Sequence, residues 1–222
     1  MVADRVAEVR ERIGAARDRG GHGQSVTLIA VTKTHGPEAV EAAFRAGVTD
    51  VGENRVQEAE TKMALTTVPV RWHLIGHLQR NKARSAVRFA LVHGMDSERL
   101  AASLDSAAGQ AGTVLEVLLQ TNVSGEGTKN GVAPDAVQGL AERLRALQHL
   151  RVVGVMTMAP FEADESELRR VFAGARRARD VLAHAGHPAT HLSMGMSGDY
   201  EIAVEEGATF VRLGTVLFGS RT

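Results

Sequence analysis

The amino-acid sequence predicts an α/β protein, a single (β/α)8 barrel of the TIM type with an extra N-terminal helix. Three observations predict it. Eight short apolar runs alternate with segments of helical periodicity, the pattern of parallel strands joined by crossover helices. No linker or low-complexity stretch divides the 222 residues, and such barrels need about 200 to 250. Two segments, AGVTDVGEN (46–54) and EGATFVRLG (206–214), echo each other with a helix-ending glycine, a tight connection and a buried strand. One domain over residues 1–222 is therefore expected.

The elements follow in order. Val2, Val6, Val9 and Ile13 recur at helical spacing between charges, predicting an amphipathic helix within residues 1–20 that stops at Gly20 and Gly21. VTLIAVTK (26–33) is apolar without alternation, as a strand buried on both faces reads. A helix begins at Pro37, well suited to a first turn, and ends before Gly47. Strands are then expected at 49–53, 71–76, 91–96, 114–122, 150–158, 191–194 and 210–214. Helices are expected at 55–65, 82–89, 97–111, 134–148, 164–184 and 200–206.

Composition narrows the function classes. A content of 44% hydrophobic and 23% charged residues suits a globular core. Lys plus Arg, 26, balances Asp plus Glu, 26, so the basic excess of a nucleic-acid or membrane binder is missing. With no cysteine, disulfides and thiolate metal sites are excluded. The N-terminus is charged throughout and lacks a signal-peptide core, and no run approaches the roughly 20 apolar residues of a membrane span. A cytoplasmic monomer is expected.

In such barrels chemistry sits at the C-terminal ends of the strands. Strand one ends in Lys33. A partly desolvated lysine there has a lowered pKa and offers a nucleophilic amine to a carbonyl; the alternative is a lysine snorkelling to solvent. After strand seven comes SMGMSGD (193–199), and RLGT (212–215) closes strand eight. Loops at these positions commonly bind phosphate. Ser193 and Ser197 offer hydroxyls, and Gly214 and Thr215 offer backbone N–H groups. A lysine nucleophile beside a phosphate site fits either a Schiff-base aldolase or a pyridoxal 5′-phosphate protein. Arg212 favours the cofactor, because an arginine beside the pyridine nitrogen disfavours its protonation; the alternative is an arginine paired with a carboxylate such as Glu53.

Several motifs carry a family resemblance: VTKT (31–34), VGENRVQE (51–58), WHLIGHLQRNK (72–82), GVMTM (154–158), LSMGMSGD (192–199) and VRLGTVLFG (211–219). In this order they resemble the pyridoxal phosphate homeostasis protein family, over about residues 26–220. The resemblance implies a barrel similar to the N-terminal domain of bacterial alanine racemase. It implies that Lys33 carries pyridoxal 5′-phosphate as a Schiff base and that Arg212 faces the ring nitrogen. Ser197, Gly214 and Thr215 would hold the phosphate, with Asn54 and His73 around the ring. The stretch THGP (34–37) varies in the family, and nothing is drawn from it.

Other constellations weigh less. His73 and His77 are four apart, but Gly76 and a strand-to-loop setting break the spacing of a metal pair. Arg169, Arg170, Arg176, Arg177 and Arg179 read as a solvated helix face. Asn122, Lys129 and Asn130 flank a loop that is either a lid or a long connection. Racemases similar to this barrel recruit a second base, a tyrosine, from an extra β domain. Here the chain stops after strand eight and its only tyrosine, Tyr200, reads as a packing residue. The expectation is thus a non-catalytic carrier of pyridoxal phosphate, with apo-enzymes as recipients; a weak amino-acid racemase is the alternative.

Overall fold

Eight parallel strands close into a barrel in chain order. They are β1 (Thr27–Val31), β2 (Asp50–Glu53), β3 (Arg71–Leu74), β4 (Leu91–Met95), β5 (Leu115–Gln120), β6 (Leu150–Met156), β7 (His191–Ser193) and β8 (Phe210–Leu213). Closure comes from β8 pairing back onto β1, with Ile29 opposite Arg212 and Ala30 opposite Leu213. The computed structural model describes residues 1–125 and 130–219. Lys129 and the middle of the 123–131 loop lie outside them.

Around the barrel run α1 (Val2–Gly20), α2 (Pro37–Arg45), α3 (Val56–Leu65), α4 (Ala83–Ala86), α5 (Glu98–Gln110), α6 (Val137–Leu144), α7 (Glu165–His184), α8 (Tyr200–Glu205) and α9 (Thr215–Phe218). The extra N-terminal helix, α1, stops where Gly21 takes the left-handed conformation, φ 69°, and its N–H caps the Arg17 carbonyl. Val6, Val9, Ile13 and Ala16 form its buried stripe. Ion pairs from Arg12 to Glu201 and Arg19 to Glu205, with the Arg5 bond to the Leu217 carbonyl, fasten α1 over α8 and α9.

Alternation along the strands sorts side chains into two layers. Leu28, Ala30, Val51, Leu74, Val92, Val117, Leu119, Val152, Val155, Leu192, Val211 and Leu213 point outward and pack with the helices. The intervening Ile29, Leu91, Leu118, Val153 and Phe210, with Met156, form a separate cluster inside the barrel. Polar residues share that interior: Asp50, His73, His93, Ser193 and Arg212 are all buried.

The structure departs from the sequence-based reading in several places. β1 ends at Val31, so Lys33 lies in the turn beyond the strand. The helix expected at 82–89 is one 3-10 turn (Arg80–Lys82) and a single α turn, because Arg88 and Phe89 bond three residues back rather than four. The 134–148 helix is likewise split into a 3-10 turn and α6. The arginines of α7 are not one solvated face: Arg169 pairs with Glu165, Glu205 and Glu206, and Arg176 bonds both the carboxylate and carbonyl of Glu206. They fasten α7 to the end of α8.

Two glycines test this packing. At Gly14, inside α1, an added Cβ meets nothing within 4 Å, so Gly14→Ala should stabilise the protein by about 0.5–1 kcal/mol. At Gly154 it would collide with the His191 backbone across the β6–β7 pairing. Gly154→Ala should cost at least about 1–3 kcal/mol. Urea unfolding of both variants decides; equal and small effects would contradict the assigned register.

Candidate functional site at the C-terminal mouth

Each barrel strand delivers its following loop to one face, and the sequence-predicted residues collect there. Lys33 is two residues beyond β1, Asn54 one beyond β2, Ser197 four beyond β7, and Gly214 and Thr215 directly follow β8. Ser193 and Arg212 lie within the ends of β7 and β8. His73 sits lower, on the inner face of β3, with both ring nitrogens engaged by Asp50 and His93. His77 is exposed and 3.2 Å from Asp96. His73 and His77 therefore do not face one another, and the described residues contain no cluster of three potential ligands.

The turn carrying Lys33 is clamped from beneath. Thr32 Oγ1 donates to Glu53 Oε1 at 2.5 Å, and the Thr34 N–H donates to Glu58 Oε1 at 2.5 Å. Lys62 Nζ joins the two sides, donating to the Thr32 carbonyl at 2.7 Å, Glu53 at 2.6 Å and Glu58 at 2.8 Å. Between these fixed points Lys33 is half-buried. Thr34 is held at φ 68°, a left-handed geometry unusual for a β-branched residue and costing on the order of 1–3 kcal/mol. Burial pushes the Glu53 carboxyl above the ordinary range, against the opposing pull of Lys62 and Thr32.

The opposite wall is a backbone cradle. Gly195 takes φ +96°, and a Cβ there would lie 2.8 Å from Ala203 Cβ. At Gly214 a Cβ would come within 3.3 Å of the Val31 carbonyl, so the end of β8 lies directly against the end of β1. Gly214 begins α9, whose first N–H groups point out of the helix without partners in it. The N–H of Val216 is met by Ser197 Oγ at 3.3 Å, joining the β7 loop to this helix start. His35 stacks at 5.2 Å on Phe218, tying the Lys33 turn to the same helix.

Arg212 forms the floor. It is buried, donating from Nη1 to Ser193 Oγ at 2.6 Å and from Nη2 to the Thr157 carbonyl at 3.0 Å. Burial lowers its pKa to about 10, still cationic at neutral pH. The carboxylate partner considered from sequence, Glu53, belongs instead to Lys62. A buried cation, a cradle with helix-start N–H groups and a clamped lysine turn suit a small aromatic phosphate that carries a carbonyl. The residues present fit pyridoxal 5′-phosphate.

Sequence reasoning missed Glu53, Glu58 and Lys62 as supports, although Glu58 and Lys62 stand at the i, i+4 spacing of a helical pair. It also missed Asp50 and His93. Their signal was a polar residue at the inward position of an otherwise apolar strand. Tyr200 is buried in the helical layer with its ring under Arg12, as a packing residue would be.

Comparison with known proteins agrees with this geometry. Residues 5–222 match the family model for the alanine racemase N-terminal domain, which sets the chain in that class of barrels. The pyridoxal phosphate homeostasis protein of Aquifex aeolicus is 40% identical over 222 residues, covering 98% of this chain and 97% of that protein. Its namesake in Pseudomonas aeruginosa is 42% identical over 223 residues, covering 99% and 96%. Among solved structures, PipY of Synechococcus elongatus with PLP bound superimposes with a TM-score of 0.87 at 39% identity, covering 99% of this chain and 100% of that one. The chain belongs to the pyridoxal phosphate homeostasis protein family.

Two stability effects follow. Lys62→Met leaves Glu53 and Glu58 without their shared cation and should cost about 3–5 kcal/mol, the usual result of breaking one side of a buried pair. Burial, reinforced by His73, Arg212 and His191, holds His93 well below the ordinary imidazole range. Unfolded His93 takes up a proton near pH 6.5, whereas the folded residue does not, so stability should fall as pH drops below about 6.5. The slope is at most about 1.4 kcal/mol per pH unit from this group. Burial lowers His191 as well, adding to the trend. Urea midpoints between pH 7.5 and 5.5 measure it; a flat profile would contradict a buried neutral His93.

Proposed function

We propose that this chain holds pyridoxal 5′-phosphate at the barrel mouth as a Schiff base on Lys33, and stores, delivers or buffers the cofactor inside the cell. The observation that carries the reading is Arg212, a buried guanidinium set between Ser193 and Thr157 at the floor of the site. Its two hydrogen bonds use two of five N–H donors, which leaves donors for a pyridine nitrogen. PipY, 39% identical along nearly its whole length, has been solved with PLP bound, which supports the same ligand here. Ser197 and the N–H groups of Gly214 and Thr215 would take the phosphate, the role that helix starts after strand eight fill in such barrels. Asn54 borders the ring, while His73 and Ser193 back it from within the barrel.

The cofactor, when bound, supplies an electron sink for the α-carbon of an amino acid. Arg212 works against that chemistry. A guanidinium that stays charged disfavours a proton on the ring nitrogen and weakens the sink. A racemase also needs an acid or base on each face of the reacting carbon. Lys33 serves one face, and Tyr200 is buried between helices away from the other. Both points favour holding over turnover, with apo-enzymes as recipients.

Lys33→Ala should abolish the yellow colour of the purified protein and leave the fold intact. Borohydride reduction and peptide mapping should find the pyridoxyl group on Lys33; finding it on Lys62 or Lys82 would overturn the assignment. Ser197→Ala should weaken binding about tenfold or more, the worth of one charge-assisted hydrogen bond, and pyridoxal without phosphate should bind poorly. Typical enzymes turn over about 1–1,000 times per second. Exchange of α-protons from L-amino acids in heavy water should run far below that range, and cofactor should transfer to an apo-enzyme. Racemisation at an enzyme-like rate, lost in Lys33→Ala, would establish the racemase reading instead.

A further inference from the structure

A row of hydrogen bonds crosses the barrel from one face to the other. Asp50 opens β2 at the N-terminal face, where exposed Arg71 reaches its carboxylate at 2.6 Å. Asp50 Oδ1 is 2.8 Å from His73 Nε2, and His73 Nδ1 is 3.0 Å from His93 Nε2. His93 Nδ1 is 2.8 Å from Ser193 Oγ, which is 2.6 Å from Arg212 Nη1. The path thus steps from β2 to β3 and β4, then spans the interior to β7 and β8. All five residues are buried, so water does not compete along it.

Valence gives the row a direction. A guanidinium only donates, so Ser193 Oγ accepts from Arg212 and has its own proton to offer His93 Nδ1. With that proton accepted, His93 carries its hydrogen on Nε2 and donates it to His73 Nδ1. His73 in turn carries its hydrogen on Nε2 and donates it to Asp50. The anionic end agrees with this order, because an ionised carboxylate only accepts. Burial by itself would raise the Asp50 carboxyl, but His73, Thr49 and Arg71 hold it below the ordinary range, so it stays an acceptor. In this order each imidazole donates once and accepts once.

We propose that Asp50, His73, His93 and Ser193 are positioning residues, a one-directional relay that fixes the orientation and electrostatic setting of Arg212. This rests on the reading of Arg212 as the partner of the pyridine nitrogen. Among the described residues no carboxylate is within ion-pairing distance of the buried Arg212; Asp199 acts on it only at longer range. The relay connects that cation to the buried anion of Asp50 through three neutral groups, each polarised in the same sense. The groups facing the imidazoles are few. His73 meets Asp50, His93 and the Phe210 ring; His93 meets His73, Ser193, the Phe210 ring and the charges of Arg212 and His191. A second proton on either ring would reverse or break this order at the 3.0 Å contact between them or at Ser193.

Nitrogen-15 NMR of the histidines in the ligand-free protein reads the relay directly. At pH 7.5, His73 and His93 should both be neutral with hydrogen on Nε2; an imidazolium, or hydrogen on Nδ1 of His93, overturns the proposal. With pyridoxal 5′-phosphate bound, Ser193→Ala should shift the pH profile of the visible absorption and weaken binding about tenfold, as loss of one charge-assisted bond would. Asp50→Asn, remote from the mouth, should shift the profile in the same direction. The double variant should be no worse than Ser193→Ala alone, since both act through one path. Additive effects, or no effect of Asp50→Asn on the profile, overturn the relay. Because the tautomers are measured without ligand, their failure is distinct from a failure of the cofactor reading.

Discussion

A guanidinium enclosed in a β-barrel has to be solvated by the protein itself, and the interior of this molecule is arranged around that requirement. Part of the inner surface is conventional, with Ile29, Leu91, Leu118, Val153 and Phe210 filling space. Five other inward positions form the polar row from Asp50 to Arg212. A buried charge left without partners costs several kcal/mol, and a half-satisfied network is worse than an apolar core. The row escapes that cost because each member's donors and acceptors match those of its neighbours. Phe210 lies against the two histidines and separates them from the apolar half.

The mouth solves a different problem. There Lys33 is half-buried, and its flanking residues do the holding. Thr32 and Thr34 are tied to Glu53 and Glu58, with Lys62 as the shared cation. The left-handed Thr34 persists because those bonds over-determine it. Floor and clamp share β2 as their common element: Asp50 points into the barrel at its start, and Glu53 reaches the Lys33 turn at its end. By contrast, the many exposed ion pairs on the helices, such as Arg143 with Glu98, are each worth about 0–1 kcal/mol. They orient the outer shell and decide little else.

The strands and their order were readable from short apolar runs, because a strand buried on both faces needs nearly continuous hydrophobicity. Helix ends were less so. The 82–89 segment stops after one α turn, and no glycine or proline marks the place. Lys33, Ser197, Gly214 and Thr215 were legible for one reason: the fold class sends the ends of strands one, seven and eight to the same face. Arg212 stood out as a charge in an apolar strand. Its partner was misjudged, because Glu53 and Lys62 meet through α3 and β2, a pairing that depends on how the helix docks.

What the sequence by itself determined was the alternation of elements, the extra helix, the face bearing Lys33 and the loops after strands seven and eight, and the family, since local periodicity and contiguous motifs carry them. Only the tertiary structure decided which inward polar residues meet. Asp50, His73, His93, Ser193 and Arg212 come from five strands and up to 162 positions apart (212 − 50). Their contacts arise from barrel closure and strand stagger, which bring the inner face of β4 across to β7. Hydrogen bonds of 2.6–3.0 Å depend on that geometry to a fraction of an ångström. A strand's own sequence shows that a histidine points inward; it holds no information about the side chain waiting on the far wall.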